Sequence, residues 1–463
     1  MSTSSFVWMS DVHYDPHFGT SKAFRANARY CGNATTVRYG CDAPWTLIQS
    51  GIQAVASHNP VFVVVTGDYS RHGLDQVSNS TQAVSEIVRK VTMELQTNLS
   101  PETIILPVLG NNDVLPDYYL DVVDRKSSQL ESIGDTLLVL NVLTHEEASL
   151  FRYGGYYART IGQVRLLCLN TVIYSIEHTP KLPSYNTDPY DQFTWMDQEL
   201  QTNENVYILG HIPPTISSYM HDNMWDDKYR LIYEQIVQKH ASKIKAQLFG
   251  HFHTNEFRIF SPDMCLFIGP SITPLYNSNP AFQVIHYQAS SGQLEDMDTY
   301  VFNISEPATT NWTKLNSFVQ EYELDDLTPS SIQKGIIDPL RNSNQTVLKK
   351  FLFNYKSGVF SHSMQACLSG GVDSCSKDWF CTLRSNTNKN YMECMNTGHE
   401  QADTTKILLA SSGVVVLLVF LCLYLPCCQR RAFQYNKPSD ETILDHGRTI
   451  PPKAVAAEEH EII

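Results

Sequence analysis

Short apolar runs rich in β-branched residues recur along the first 290 or so positions of this 463-residue chain. Between them lie segments with apolar residues at helical spacing, such as 45–58 and 80–98. Regular alternation of strands and helices is typical of a layered α/β domain, which is the fold class that we expect. The predicted strands are SFVWMS, VFVVVTG, TIILPVLG, VRLLCLN, NVYILG and KAQLFG.

Five of these predicted strands are followed directly by carboxylate, carboxamide or imidazole side chains. The carboxyl ends of strands in an open α/β sheet meet at one edge, where such folds bind their ligands. Mixed imidazole and carboxylate ligands suit zinc, iron or manganese, and seven side chains with one of them shared would suit a bridged metal pair. In chain order, the candidates are Asp11, His13, Asp68, Asn111, His211, His251 and His253.

The composition limits the possible partners. The net charge of −14 and the absence of a basic stripe argue against nucleic-acid binding. A hydrophobic fraction of 42% is sufficient for a large core. An anionic substrate would need local cations to override the field of the whole protein, which is consistent with bound metals.

Residues 407–425 form an uncharged apolar stretch long enough to cross a bilayer as a helix. Arg430 and Arg431 follow it, so the positive-inside rule predicts a cytoplasmic tail and a lumenal or extracellular catalytic domain. We therefore expect a single-pass type I membrane protein. Because residues 1–13 contain no export signal, we also expect a signal segment upstream of this chain.

Sequons and cysteines agree with that orientation. Candidate glycosylation sites precede the apolar stretch, at Asn33, Asn79, Asn98, Asn303, Asn311 and Asn344. Cys31 and Cys41 lie close together, and a second group could form disulfides in an oxidising compartment. That group is Cys367, Cys375, Cys381 and Cys394. The terminal EEHEII resembles an acidic dileucine signal for the lysosome or vacuole.

The chain becomes helical in character from about Tyr300. Thr328 and Pro329 are typical of the N-cap and first position of a helix. Gly358 is a plausible helix end after the apolar spacing of 347–355. These features predict a smaller helical subdomain between the α/β domain and the apolar stretch.

Taken together, the motifs resemble those of the calcineurin-like metallophosphoesterases. DVHYDP, the cysteine-bounded segment 30–52, TDPYDQFTWMDQEL and SITPLYNSNPAFQVIHY are similar to the acid sphingomyelinase-like phosphodiesterases and endopolyphosphatases. The resemblance implies a β-sandwich flanked by helices in a four-layer α/β/β/α arrangement, with a small helical disulfide-containing C-terminal subdomain. We expect a catalytic domain at 1–295, this subdomain at 296–400, a transmembrane helix at 407–425 and a tail at 426–463.

The resemblance also assigns the metal ligands. One metal would be held by Asp11, His13, Asp68 and His253, and the other by Asp68, Asn111, His211 and His251, with Asp68 bridging. Two divalent ions are implied, with zinc favoured and manganese or iron as alternatives. The implied mechanism is an in-line attack on phosphorus by a hydroxide held between the metals.

One position departs from the family pattern. Most members have a histidine after the ligand asparagine, whereas this chain has Asn112, and an amide cannot act as a general acid. Phosphate is an easier leaving group than an alkoxide, and the GNND sequence is typical of endopolyphosphatases. Arg71 and His72 resemble that branch too, and a guanidinium suits a phosphate chain. His72 could instead be the proton donor, which would restore diesterase chemistry.

The sequence therefore favours a two-metal phosphohydrolase acting on phosphoanhydrides such as polyphosphate or nucleotide polyphosphates. The alternative is a phosphodiesterase of the acid sphingomyelinase-like type, acting on a lipid or small-molecule diester. An inactive receptor for phosphorylated ligands is an alternative of another class. Arg71, His72 and Asn112 are the candidate catalytic residues beside the metal ligands.

Overall fold

The computed structural model describes residues 3–23, 31–77, 81–122, 127–261, 264–306 and 311–397. Contacts along the backbone group Met1–Asn396 into one compact unit and Thr397–Ile463 into a second. All the elements below belong to the first unit.

Two six-stranded sheets form the centre of this unit. The first has the order β12-β11-β10-β1-β2-β3, and the second has the order β4-β5-β6-β7-β9-β8. The strands are β1 (Thr3–Met9), β2 (Phe62–Val65), β3 (Ile104–Pro107), β4 (Tyr157–Ile161), β5 (Val164–Cys168), β6 (Val206–Leu209), β7 (Ile244–Phe249), β8 (Glu256–Ser261), β9 (Met264–Ile268), β10 (Ala281–Gln288), β11 (Leu294–Phe302) and β12 (Trp312–Ser317).

Each sheet combines parallel strands with antiparallel neighbours. In the first sheet β1, β2 and β3 are parallel, with Val63 paired to Val7 on one side and Ile105 on the other. In the second sheet β5, β6, β7 and β9 are parallel. The parallel strands are almost entirely buried, which explains why they are continuously apolar instead of alternating. All six predicted strands are present in the structure.

The two sheets pack face to face through aromatic side chains. Phe6 of β1 lies in the first sheet, and its ring centre is 5.9 Å from that of Tyr207 in β6 of the second. Gln247 and Phe249 of β7 point to the other face, where both contact Tyr233 of a helix. This alternation follows from the two-residue period of a strand. The second sheet therefore packs against the first sheet on one face and against a helix on the other.

Helices connect the strands and then form the C-terminal part. The first six are α1 (Trp45–Ala56), α2 (Thr81–Asn98), α3 (Ser128–Val139), α4 (His145–Gly154), α5 (Gln192–Thr202) and α6 (Asp227–Lys239). The later ones are α7 (Phe318–Glu321), α8 (Pro329–Ile332), α9 (Asp338–Arg341), α10 (Gln345–Tyr355), α11 (His362–Ser369), α12 (Val372–Arg384) and α13 (Asn388–Asn396). A π-helical turn, Gln333–Ile337, joins α8 to α9. As the sequence predicts, Thr328 caps α8 and Pro329 is its first residue.

The helical C-terminal part begins later in the chain than predicted. The boundary that we expected between residues 295 and 296 falls inside β11, which pairs with both β10 and β12 in the first sheet. The first C-terminal helix starts at Phe318, whose ring packs against Phe257 of β8. The subdomain division itself stays a prediction, because the helices share the main hydrophobic core.

Three disulfides lie in the described residues, in the two groups that the sequence indicates. Cys31 pairs with Cys41 in the loop before α1. In the C-terminal helices Cys367 pairs with Cys375, and Cys381 pairs with Cys394. The sequence left three pairings open for these four cysteines, and helix packing selects one.

The predicted transmembrane helix at 407–425 and the tail at 426–463 lie outside the described residues. Within the described part of the chain, every helix is too short or too polar to cross a bilayer. The prediction of a single-pass membrane protein is corrected accordingly: the described residues contain no membrane-spanning helix.

Phe6→Ala tests the contact between the sheets. Phe6 is fully buried and stacks on Phe62 at 4.4 Å between ring centres, so truncation leaves a cavity at the sandwich centre. We expect the free energy of unfolding to fall by about 3–5 kcal/mol in denaturant titrations. Val139→Ala is the control, because Val139 is 78% exposed and should change stability by less than about 0.5 kcal/mol. Equal effects would contradict this packing.

Candidate metal centre

The seven predicted metal ligands lie together at the carboxyl edge of both sheets. Those from the first sheet follow β1, β2 and β3, and those from the second follow β6 and β7. Two subsets have ligand atoms within 4.8 Å of one another and share one carboxylate. They are Asp11, His13 and Asp68, and Asp68, His211 and His251.

Asp11, His13, Asp68 and His253 form the first group. Nε2 of His13 lies 3.4 Å from Oδ2 of Asp68 and 3.2 Å from Nε2 of His253. Oδ1 of Asp11 is 3.3 Å from the same Nε2 of His253. All four side chains are buried, so their ligand atoms face one another and not solvent.

Asp68, Asn111, His211 and His251 form the second group. Nε2 of His211 lies 3.2 Å from Oδ2 of Asp68 and 2.9 Å from Oδ1 of Asn111. The ring of His251 is 5.1 Å from that of His211, nearly perpendicular to it. The Oδ2 atom of Asp68 therefore faces both groups, as a bridging ligand must.

Hydrogen bonds on the far side of two imidazoles fix their tautomers. Nδ1 of His13 donates to the carbonyl of Ser70 at 2.9 Å, and Nδ1 of His211 donates to that of Thr66 at 2.7 Å. Each neutral ring then directs an Nε2 lone pair at carboxylate or amide oxygens. Lone pairs facing oxygens repel unless a cation lies between them, so the residues present fit a pair of divalent cations.

The pKa values of the buried groups also indicate that this centre favours positive charge. Burial lowers the pKa of His13, but its hydrogen bond to Asp11 and the charge of Asp68 raise it overall to about 9. Burial likewise lowers the pKa of His211, and the charge of Asp68 raises it to about 9. Although burial disfavours its charged form, His211 and His13 hold the pKa of Asp68 well below its usual value. In the absence of metal, protons on these imidazoles supply the missing charge.

Five of the seven candidate ligands have a left-handed backbone. The φ angles of Asp11, His13, Asp68, His251 and His253 are 48°, 42°, 55°, 77° and 58°. Such conformations cost about 1–3 kcal/mol each for non-glycine residues and concentrate at functional sites. Backbone hydrogen bonds between the strand ends hold two of them, from Asp11 to Gly67 and from His13 to Asp68.

Glycine precedes several of these ligands because the strand ends approach one another closely. A Cβ on Gly110 would lie 2.1 Å from Oδ1 of Asp68, and one on Gly250 would lie 2.1 Å from the hydroxyl of Ser10. Both distances are far below van der Waals contact. Only glycine therefore lets the carboxylates of Asp68 and Asp11 occupy the edge.

Asp113 is a residue of this centre that is not among the sequence-predicted candidates. Its buried carboxylate accepts four backbone hydrogen bonds, from Asp68, Tyr69, Ser70 and Gly110, at 2.9–3.1 Å. Burial, together with the charge of Asp68, raises the pKa of Asp113 to about 6. Asp113 thus ties the loop after β2 to the loop after β3. Its spacing of three residues from Gly110 resembles a capping box and could have indicated this role.

Comparison with known proteins agrees with this geometry. The family model of the calcineurin-like phosphoesterases matches residues 4–255. The chain belongs to this family. It is therefore a hydrolase of phosphoric esters.

The relatives of this phosphoesterase are phosphodiesterases by name. It is 30% identical over 308 residues to a sphingomyelinase phosphodiesterase D of Dictyostelium discoideum, covering 62% of this chain and 67% of the relative. It is 27% identical to the human acid sphingomyelinase-like phosphodiesterase 3b, covering 84% and 90%. It is also 27% identical to a cyclic GMP-AMP phosphodiesterase of Mus musculus, covering 81% and 91%. The chain is thus related to the acid sphingomyelinase-like group, as its motifs indicate.

Asn112 of this phosphoesterase turns toward the bridging carboxylate. Its backbone N–H donates to Oδ1 of Asp68 at 2.8 Å, and its side-chain Nδ2 donates to Oδ2 at 2.7 Å. The buried Oδ1 of Asn112 has no hydrogen-bond partner within the described residues. The side-chain amide and the peptide of Asn112 therefore hold both oxygens of the Asp68 carboxylate.

The guanidinium of Arg71, which the sequence predicts to contact phosphate, is buried and hydrogen-bonded within the protein. Its guanidinium donates from Nη1 to Asp15 at 3.1 Å and to the carbonyl of Lys22 at 2.7 Å. Its Nε donates to the carbonyl of His72 at 2.9 Å. Arg71 is only 1% exposed, so these contacts give it a structural place in the loop after β2.

His72 lies against the first group of ligands. Its ring stacks on that of His13, with centres 3.9 Å apart and planes 16° apart. Nδ1 of His72 is 3.0 Å from Oδ1 of Asp42, a buried residue that the sequence analysis did not identify. The only sequence signal for Asp42 is its place directly after Cys41. His72 therefore borders the centre and pairs with a buried carboxylate.

Stabilisation by metal should depend on pH with a definite sign. A histidine with a raised folded-state pKa stabilises the metal-free protein below its unfolded value of 6.5, and this contribution disappears as pH rises through about 9. We therefore expect metal-free protein to lose thermal stability across this window. Zinc or manganese should give a larger rise in Tm at pH 9 than at pH 6.5. An equal rise at both pH values would contradict proton–metal competition at His13 and His211.

Asp113→Ala should weaken both the fold and the metal centre. It leaves four buried N–H groups without their acceptor, so we expect the free energy of unfolding to fall by about 3 kcal/mol or more. Zinc affinity should fall by about 10- to 100-fold in titrations of the folded variant. Asp135→Ala is the control, because that exposed carboxylate pairs with Arg152 at the surface. A loss below about 1 kcal/mol would contradict the anchoring role of Asp113.

Proposed function

We propose that this phosphoesterase is a metal-dependent phosphodiesterase that expels an alkoxide leaving group. The observation that carries the proposal is the pairing of His72 with Asp42 beside His13. An alkoxide is a strong base, so its departure gains much from a proton donor. His72 serves as that donor, and the asparagine at position 112 is then no obstacle to diester cleavage.

The candidate ligands divide the remaining work. Asp11, His13, Asp68 and His253 would hold one divalent cation, and Asp68, Asn111, His211 and His251 the other. When bound, such a pair supplies an activated water and neutralises charge on the phosphoryl oxygens. Asn112 keeps the carboxylate of Asp68 oriented through two hydrogen bonds. His72 donates its proton from the side of His13.

The relatives support a diester substrate. Sphingomyelin and cyclic GMP-AMP, the substrates in the relatives' names, are both phosphodiesters with alkoxide leaving groups. One is a lipid and the other a cyclic dinucleotide, so the shared chemistry is the diester itself. We propose substrates from these two classes for this chain, with zinc or manganese as the metals.

Phosphoanhydride cleavage, which the sequence favoured, is the second candidate. It is supported by Asn112, because polyphosphate leaves without a strong acid. Its other support is Arg71, whose guanidinium pairs with Asp15 at 3.1 Å. The relatives and the His72 geometry therefore favour the diesterase over the anhydride reading.

A parallel assay distinguishes these functions. Purified protein with zinc or manganese is given sphingomyelin, cyclic GMP-AMP, polyphosphate and ATP. We expect turnover of at least one diester, and His72→Gln should lower its kcat by about 10²- to 10⁴-fold. Anhydride turnover without diester turnover would overturn the proposal. No turnover of any substrate by metal-loaded protein would favour the inactive receptor.

Asn112→His separates the two enzyme readings further. If the chain lacks a proton donor for diesters, a histidine at position 112 should raise diester turnover. The diesterase proposal expects no gain, because His72 already provides the proton and the amide bond to Asp68 is lost. The measurement is kcat for the same diester in wild type and variant, with metal content determined for both.

A further inference from the structure

We infer that Asp42 is a positioning residue of the active site, which holds His72 in the orientation needed to protonate the leaving oxygen. This inference rests on the proposed function. Asp42 lies in the loop before α1, thirty positions before His72 in the chain.

Asp42 contacts His72 through both carboxylate oxygens. Oδ1 accepts from Nδ1 of the imidazole at 3.0 Å, and Oδ2 accepts from the backbone N–H of His72 at 3.0 Å. One residue thus fixes the ring and the peptide of His72 together. The Asp42 side chain is 0% exposed, whereas that of His72 is 16% exposed. The carboxylate is therefore buried behind a ring that is partly exposed to solvent.

The first consequence is the choice of tautomer. A carboxylate can only accept, so Nδ1 of His72 carries the hydrogen in this pair. Proton exchange with a substrate then takes place at Nε2.

The second consequence is the direction of the ring. The bond to Asp42 holds the imidazole of His72 parallel to that of His13, with ring centres 3.9 Å apart. One nitrogen of His72 therefore lies within 4.8 Å of nitrogens of His13 and His253. The ring stays beside the place where the phosphoryl group would bind.

Asp42 is itself fixed from both sides. Cys41, immediately before it, is joined by a disulfide to Cys31. Ala43, immediately after it, donates its N–H to the carbonyl of His13 at 3.0 Å. The hydroxyl of Thr273 donates to Oδ1 of Asp42 at 3.3 Å. The carboxylate is thus connected by a short chain of contacts to the loop that carries His13.

Asp42→Asn tests the role, with two diesters that differ in leaving group. Bis(4-nitrophenyl) phosphate releases a weakly basic nitrophenolate, whereas diphenyl phosphate releases a more basic phenolate. A lost proton donor affects the second far more than the first. We expect kcat to fall by about 10- to 100-fold for diphenyl phosphate and by less than about 3-fold for the nitrophenyl ester, with KM unchanged. Equal losses for both substrates would overturn the inference.

Two further variants serve as comparison. His72→Gln should show the same leaving-group dependence. The double variant should have a kcat only slightly lower than that of His72→Gln, since both substitutions disrupt the same Asp42–His72 pair. Asp15→Asn is the matched control, because it removes a buried carboxylate from the neighbouring Arg71. Any loss in this control should be equal for the two substrates. Additive losses in the double variant would contradict action through His72.

The metal content and the tautomer provide independent readouts. Asp42→Asn should retain the same metal content as wild type; loss of metal would instead make His72 a ligand and overturn the inference. In metal-loaded wild-type protein, imidazole ¹⁵N chemical shifts should show His72 protonated at Nδ1, a result that does not depend on any variant folding. The opposite tautomer would also overturn it. If the wild-type protein cleaves no diester at all, the proposed function itself is wrong, and this result is distinguishable from failure of the inference about Asp42.

Discussion

The carboxylate of Asp68 is the point on which the rest of the site depends. It ends a parallel strand of the first sheet, and its Oδ2 lies within 3.4 Å of imidazoles from β1 and from β6. It therefore joins the two sheets electrostatically where the aromatic core joins them by packing. Asn112 holds both of its oxygens, and Asp113 holds its peptide N–H. Each of these contacts fixes a negative charge in a buried position that only cations can balance.

Folding of this site costs free energy, which the packing of the two sheets offsets. Left-handed backbone at five candidate ligands and clustered buried carboxylates both oppose folding. Two six-stranded sheets with fully buried parallel strands offset them, because rigid strand ends leave the loops no room to relax. This explains why glycines lie where the strand ends approach one another most closely. It also explains why capping contacts such as that of Asp113 occur at the same strand ends.

Prediction from the sequence succeeded where strand geometry alone decides the outcome. Asp11, Asp68 and His211 each follow an apolar run, and parallel strands bring such positions to one edge. The sequence could not decide the partner of Arg71, because a cation next to a ligand loop can turn either to substrate or to a buried carboxylate. The partner Asp15 is distant enough in sequence that no local pattern reveals it. The boundary expected at 295 stays a prediction, and the first sheet continues beyond it through β11 and β12.

The sequence by itself determined the fold class, the family and the set of candidate ligands, because these depend on local periodicity and on residue types at strand ends. Only the tertiary structure decided which groups Asn112, His72 and Asp42 contact. The amide of Asn112 could have faced a leaving oxygen, and it turns to Asp68 instead. Asp42 and His72 are thirty residues apart, and the folding of the Cys31–Cys41 loop brings them together. Hydrogen-bond direction and long-range contact are properties of the packed chain, which no local pattern encodes.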